Sequence, residues 1–127
     1  MDCLFCKIIA GEIPCHKVWE DDNHLAFLDI NPVAVGHTMM IPKSHATELF
    51  EMDNVSYQSL LAASKMVAAR LKEVFKVPRI GAVVEGFGVD HVHIHLVPIT
   101  GPHQLDSRLA KPGDHADLAK LAQRIST

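Results

Sequence analysis

The residues best suited to chemistry in this sequence are three histidines at every second position, His91, His93 and His95, within the stretch DHVHIHLVP. Successive side chains of a β-strand point to opposite faces, so this spacing predicts three imidazoles in a row on one face. Such a row could hold a metal ion, since imidazole nitrogen is a common zinc ligand. It could also act on an anion, with one neutral ring attacking while its neighbours donate hydrogen bonds to the oxygens. A polar face exposed to water suits a lone histidine better than three in strict alternation.

The elements predicted around these histidines form an α+β fold, a five-stranded and mostly antiparallel sheet with one long helix packed on it. The long helix is predicted over residues 54–75, where apolar side chains recur at helical spacing and an Asp-Asn pair can cap the start. Val92, Ile94 and Leu96 alternate with the histidines and are expected to pack under this helix. Short helices are predicted over 4–11 and 116–125, and strands at HKVWED, HLAFLDI, HTMMIPKS, RIGAVVEG and HVHIHLVP.

The composition limits the classes of protein to which this chain can belong. Its 127 residues fit a single domain over 1–127, and 48% hydrophobic with 21% charged residues is typical of a soluble globular chain. A net charge of −3 argues against nucleic acid as a partner. The longest apolar runs fall far short of the ~20 residues that span a bilayer, so no membrane partner is expected. Three cysteines, with no basic start of a signal peptide, predict a reducing, cytoplasmic compartment.

The motifs of this chain resemble those of the histidine triad family of nucleotide hydrolases and transferases. HVHIHLVP is similar to the His-x-His-x-His-x-x signature of that family. LFCKIIAGEIP and VWEDDNHLAFLDINPVAVGHTMMIPKSH precede it in the order and spacing of the family. The resemblance covers residues 3–100 as the core of one histidine triad domain, and leaves 101–127 as a C-terminal tail and helix.

The resemblance implies covalent catalysis on a nucleoside 5′-phosphoramidate or a dinucleoside polyphosphate. His93 would attack the α-phosphorus, and water would resolve the nucleotidyl-histidine to a nucleoside monophosphate. His95 would hydrogen-bond a phosphate oxygen and assist the leaving group, and His37 would support the triad from an adjacent strand. Two other hypotheses stay open at this stage. The chain could be a non-enzymatic, zinc-stabilised nucleotide-binding or adaptor protein, or a zinc hydrolase with the three triad histidines as ligands.

The resemblance also implies a purine nucleotide site. Asp29 matches the acid that binds the ribose, since a carboxylate can accept hydrogen bonds from both hydroxyls. Gly88 and Val84 stand where many members carry a serine or threonine and an asparagine that touch the phosphate, and the loop is shorter. Backbone N–H groups of the GFGVD turn, with Gly88, can replace those donors because glycine lets the backbone approach an anion. The residues matching the apolar base cleft are Phe5, Ile8, Ile13, Phe27, Ile30 and Met39.

A structural zinc ion is the one cofactor that the resemblance implies, with no organic cofactor. The C-x-x-C of Cys3 and Cys6 is by itself ambiguous between metal and redox use. In the zinc-binding, bacterial-type branch of the family, matching positions hold zinc, which here gives Cys3, Cys6, His45 and His91. Two thiolates and two imidazoles suit tetrahedral zinc. The family further implies a homodimer that pairs the long helix and the fifth strand.

Overall fold

An antiparallel sheet forms the centre of the fold in the computed structural model, which describes residues 2–127. The predicted α+β class, with its five strands, long helix and two terminal helices, is confirmed. In chain order the strands are β1 (Lys17–Glu20), β2 (His24–Leu28), β3 (Thr38–Pro42), β4 (Arg79–Val83) and β5 (Ile94–Ile99), and they lie in the order β1-β2-β3-β5-β4. The α-helices are α1 (Leu4–Ile9), α2 (Asn54–Phe75) and α3 (His115–Ser126), with short 3-10 turns at Leu49–Glu51 and Ser107–Leu109.

Helix α2 covers one face of the sheet. The Asp53 side chain caps its start by accepting from Ser56 N at 2.9 Å, and Lys76 ends it in the left-handed conformation. Its apolar side chains pack against alternate residues of the last strand, as the sequence predicted. Each fully buried Leu or Val contributes about 1.5–3 kcal/mol to this core. The buried cluster includes Leu60, Ala63, Val67 and Leu71 from α2, Ile94 and Leu96 from β5, and Val92 just before β5.

The last strand begins later than the sequence predicted. Strand β5 starts at Ile94, so His91 and His93 precede it instead of belonging to it. Its neighbour β3 ends at Pro42, which has no N–H to donate, and the Val92 N–H instead bonds the Ala46 carbonyl at 2.7 Å. The alternation of side chains nevertheless continues back through both histidines, which are buried.

Strand β5 is an interior strand of the sheet, with β3 on one side and β4 on the other. Both of its edges are therefore hydrogen-bonded, and it has no edge to offer to a second copy of the chain. The free edge at this end of the sheet belongs to β4. The expected dimer contact through the fifth strand stays a prediction, and it would have to use the side chains of β5, since its backbone is already paired on both sides.

Helix α3 is fastened to α2 by two arginines. Arg70 Nε donates to the Ile125 carbonyl at 2.7 Å, and its Nη2 donates to the Arg124 carbonyl at 3.3 Å. Arg124 in turn donates to the Val74 carbonyl at 3.1 Å and lies over the Phe75 ring. These contacts satisfy carbonyl groups that a helix end leaves without intrahelical partners. Among residues 2–127, no helix combines the length and apolarity that crossing a bilayer requires.

Replacement of Arg70 by Ala is expected to lower the free energy of unfolding by about 1–2 kcal/mol, because both carbonyls lose a charged donor. Urea unfolding followed by circular dichroism measures the change. Glu73→Ala is the matched control, since its carboxylate meets Arg70 only in a surface ion pair at 3.6 Å and should change little. An equal loss in both variants would show that the carbonyl contacts do not fasten α3.

Candidate functional site

His93 lies on the face of the sheet opposite α2, and its hydrogen bonds define which nitrogen is free. Its Nδ1 is 2.7 Å from the His91 carbonyl oxygen, which can only accept, so Nδ1 carries the proton. Nε2 of neutral His93 therefore holds an available lone pair. The ring is 5% exposed and packs edge-on against Phe5, with ring centroids 5.2 Å apart. The structure thus presents an oriented imidazole whose Nε2 can act as a nucleophile.

His37 joins His95 in a hydrogen-bonded relay that begins at the backbone. The Val33 N–H donates to His37 Nδ1 at 3.1 Å, so the His37 proton lies on Nε2. That Nε2–H faces His95 Nδ1 at 2.9 Å, and the His95 proton is therefore on its own Nε2. The His95 ring stands beside that of His93, with centroids 5.2 Å apart. One backbone amide in this way fixes a hydrogen-bond donor beside the His93 ring.

Asp29 lies beside this relay. Its Oδ2 is 3.5 Å from His37 Nε2 and 4.0 Å from His95 Nδ1. Its Oδ1 accepts from the Asn31 N–H at 2.8 Å, which forms an Asx turn just after β2. The turn orients the carboxylate and leaves Oδ2 to face the histidines.

Burial keeps the relay neutral near pH 7. Burial is the main cause that lowers the pKa of both His37 and His95. For His37 the Asp29 carboxylate opposes the shift and His95 adds to it. For His95 the neighbouring His93 adds to the shift, and Asp29 and Glu85 oppose it. Neutral rings are what a relay of single N–H donors requires.

These lowered pKa values predict that the protein loses stability in mild acid. A histidine with a lower pKa in the folded state than in the unfolded chain binds fewer protons when folded. The contribution of such a histidine to the free energy of unfolding is fully present above the pKa of the unfolded chain, about 6.5. It is lost as the pH falls through the lower pKa of the folded protein. The urea midpoint should therefore fall between pH 7.5 and pH 5.5. The fall should be smaller in His37→Gln, and an unchanged slope in that variant would contradict the assignment.

An apolar wall lies next to the histidines, and part of the predicted base cleft forms it. The strand register places Phe27, Met39 and His95 side by side across β2, β3 and β5. Phe5 contacts Phe27 edge-on at 5.6 Å, and Ile8 packs against the same cluster. Ile13 is half-buried outside this cluster, and Ile30 is 51% exposed. The structure therefore brings together Phe5, Ile8, Phe27 and Met39, and does not include the other two.

Gly88 lies in the loop between β4 and His91, next to the N-terminus. It lines a surface cleft with Cys3, Leu4 and His45. A Cβ added to Gly88 would meet nothing within 4 Å, so a serine fits there without strain. Its predicted contact with phosphate stays a prediction.

The four predicted zinc ligands converge. His91 Nδ1 is 3.4 Å from Cys3 Sγ, 3.6 Å from Cys6 Sγ and 3.2 Å from His45 Nδ1. Cys6 Sγ is 3.3 Å from His45 Nδ1. Tetrahedral zinc with ordinary bond lengths places nitrogen and sulfur ligands about 3.3–3.8 Å apart. The His91 Nε2–H donates to the Pro42 carbonyl at 2.8 Å, which leaves Nδ1 unprotonated toward the cluster. The residues present therefore fit a structural zinc ion.

A second group of ligand-type side chains fits a metal less well. Asp29, His37 and His95 also bring their donor atoms close together. The Val33 N–H occupies His37 Nδ1, so the His37 proton lies on Nε2, where a metal would have to bind. Within residues 2–127, no ligand group contains all three triad histidines. This arrangement argues against the zinc hydrolase with three triad ligands.

Several polar contacts of this molecule escaped the sequence analysis. The Val33 N–H and the Pro42 carbonyl act through the backbone, which carries no residue-type signal. His115 bonds His16, with Nε2 of His16 3.0 Å from Nδ1 of His115, so it ties α3 to the segment before β1.

Known proteins that are similar in sequence to this chain carry the histidine triad domain. The chain matches the model of the HIT domain family over residues 10–101. It is 43% identical over 104 residues to an uncharacterized HIT-like protein of Borreliella burgdorferi, covering 76% of this chain and 75% of that protein. It is 40% identical over 99 residues to an adenosine 5′-monophosphoramidase of Schizosaccharomyces pombe, covering 77% and 74%.

Among solved structures, a zinc-bound histidine triad family protein from Mycobacterium smegmatis is similar to this chain. The TM-score is 0.82 at 26% identity, covering 99% of this chain and 91% of that one. The chain therefore belongs to the HIT domain family. The predicted enzyme class, a histidine triad hydrolase, is confirmed, since the relatives include adenosine 5′-monophosphoramidases.

Proposed function

We propose that this chain hydrolyses adenosine 5′-phosphoramidates, or related purine nucleotides, through a nucleotidyl intermediate on His93. The observation that carries the proposal is the free Nε2 lone pair of His93, fixed by the bond from Nδ1 to the His91 carbonyl. Nε2 attacks the α-phosphorus, and the bond from phosphorus to the leaving amine breaks. Water then attacks the phosphorus, the bond to Nε2 breaks, and AMP is released.

His95 donates during both steps. Its Nε2–H is directed away from His37 and is free to bond a non-bridging phosphate oxygen or protonate the leaving group. His37 is a positioning residue, since it reaches the reacting atoms only through His95. The relay places the donor before the substrate binds, which is the condition for electrostatic stabilisation of the transition state.

Asp29 and the apolar wall hold the nucleoside in this proposal. The Asx turn leaves Oδ2 of Asp29 able to accept from the ribose hydroxyls. Phe5, Phe27 and Met39 supply the apolar surface on which a purine can pack, and Ile8 borders it. Ile13 and Ile30 remain predicted base contacts, and Gly88 a predicted phosphate contact through its backbone N–H.

Zinc, in this proposal, has a structural role. Cys3, Cys6, His45 and His91 would hold it, and the ion would supply cross-linking, with no part in the reaction. His91 connects the two sites, because its carbonyl orients His93 while its Nδ1 faces the cysteines. A cytoplasmic location and a homodimer also stay predictions. The free edge of β4 is one of the two sheet edges, with that of β1, to which a second copy could pair.

The alternative function is that of a nucleotide-binding adaptor without turnover. Its support is that Val84 and Gly88 replace two side chains that would donate to the phosphate. Wild-type protein is expected to release AMP from adenosine 5′-phosphoramidate faster than from diadenosine polyphosphates, because the latter need more charge stabilised at the leaving group. Chromatography of the products over time measures both rates. AMP binding by calorimetry with no AMP released from either substrate would favour the adaptor.

A further inference from the structure

A hydrogen-bonded chain of Ser59, His24 and Asp21 lies away from His93, on the face of the sheet that α2 covers. Ser59 Oγ, in α2, is 3.2 Å from Nε2 of His24, at the start of β2. Nδ1 of His24 is 2.9 Å and 3.1 Å from the two carboxylate oxygens of Asp21. A hydroxyl within reach of an imidazole that a third group orients is the arrangement of an activated nucleophile.

The hydrogen bonds of Asp21 and His24 leave Nε2 of His24 free to take the proton of the Ser59 hydroxyl. The N–H groups of Asn23 and His24 donate to Asp21 Oδ1 at 2.8 Å and 2.7 Å, which fixes the carboxylate in the turn between β1 and β2. The hydrogen bonds from His24 and Asn23 outweigh burial and hold the pKa of Asp21 below its usual value. The carboxylate is therefore ionised and accepts the proton of His24 Nδ1. The lone pair on Nε2 then faces Ser59, where it can accept the hydroxyl proton.

The hydroxyl also has room for a ligand. A cavity of about 350 Å³ opens beside it, within the range of small-molecule sites. Ser59 is partly exposed, whereas His24 is 4% exposed. The cavity wall combines apolar side chains with one carboxylate, that of Asp53, and with the imidazole of His45. Because the carboxylate repels an anion, the cavity suits a small neutral ester. The other lining residues include Pro42, Met52, Val55, Asn23 and Ser44.

We propose that Ser59 is a second nucleophile of this protein, activated by His24 and Asp21, that acts on small activated carboxylic esters. Ser59 Oγ attacks the acyl carbon while its proton passes to His24 Nε2. The bond from that carbon to the leaving oxygen breaks, and the alcohol departs with the proton. Water then attacks the acyl carbon and the bond from that carbon to Ser59 Oγ breaks. One proton of the water passes through His24 to Oγ, and the carboxylic acid is released. The step needs no oxidant, metal or further reactant.

The test is covalent labelling with an alkyl fluorophosphonate, whose fluoride leaves as the serine oxygen bonds phosphorus. Labelling is followed by intact mass and located by peptide mapping. Wild-type protein should gain one probe on Ser59, and Ser59→Ala should gain none. His24→Gln should react at least ~100-fold more slowly, since it removes the general base. Asp21→Asn should also react more slowly, although its side-chain oxygen can still accept from the N–H groups of the turn.

Two control variants separate this site from its surroundings. Ser107→Ala removes an exposed serine outside this cavity and should label at the wild-type rate, and His93→Ala removes the nucleotide site as a source of ester turnover. In the His93→Ala background, release of p-nitrophenolate from p-nitrophenyl acetate should fall to the background rate when Ser59→Ala is added. Labelling of folded wild type no faster than Ser59→Ala, or at another residue, would overturn the proposal and leave a structural tie between β2 and α2. Melting curves show whether each variant is folded. If His24→Gln does not fold, the labelling of Ser59→Ala compared with wild type is the test of the proposal.

Discussion

Replacement of His93 by Ala is expected to lower kcat for AMP release from adenosine 5′-phosphoramidate by at least about 10³-fold. The loss is large because no other imidazole can take its place. His91 Nδ1 faces the cysteines and its Nε2 donates to Pro42, while His95 Nδ1 accepts from His37. AMP affinity should change little, since the ribose and base contacts remain. Steady-state kinetics and calorimetry measure the two quantities.

The control for this experiment is His103→Asn. His103 has a φ of 66°, a conformation that asparagine tolerates, and it lies in the tail after β5. The His103→Asn variant should keep the wild-type kcat. A His93→Ala variant that retains more than a tenth of the wild-type kcat while still folded would show that the reaction does not pass through His93.

Replacement of Cys3 by Ser is expected to abolish stoichiometric zinc and lower the free energy of unfolding by more than about 4 kcal/mol, a size typical of a lost structural metal. For a chain of this length the melting temperature should fall by about 10–20 °C. Cys3 is buried and also caps α1, whose Cys6 N–H donates to its sulfur at 3.3 Å. Elemental analysis and thermal melts, with and without a chelator, measure both effects.

Cys15→Ser is the matched control for the zinc prediction. Cys15 packs against the same apolar cluster as Cys3, but lies outside the group of four ligands. It should retain zinc and respond to chelator as wild type does. Purified wild-type protein without zinc after growth in zinc-replete medium, or with a melting temperature unaffected by chelation, would contradict the structural zinc site.

The sequence predicted the parts of the fold and site that follow from periodicity. Alternation in HVHIHLVP separates His93 from Ile94 across the sheet, and it does so even though β5 starts only at Ile94. The helical spacing of residues 54–75 predicts α2 to the residue, because its cap and its apolar face agree. The Cys-x-x-C was ambiguous by itself, and it was the resemblance that grouped it with His45 and His91, which do lie beside both cysteines.

The remaining features depend on contacts between distant parts of the chain. The tautomers of His37 and His91 are set by backbone groups of Val33 and Pro42, which any residue type offers. Ile30 is apolar and follows β2, yet it points to solvent because the Asx turn at Asp29 redirects the chain. Pairing order is likewise invisible to periodicity, so the interior position of β5 between β3 and β4 is known only from the structure.

In the proposed reaction His93 carries the nucleotide during turnover. The most direct measurement mixes wild-type protein with adenosine 5′-phosphoramidate, quenches within milliseconds and determines intact mass and the modified peptide. We expect a transient adenylyl adduct on His93 that decays as AMP appears, and no adduct in His93→Ala. AMP release by wild type with no adduct at any time, and with the same rate in His93→Ala, would contradict it.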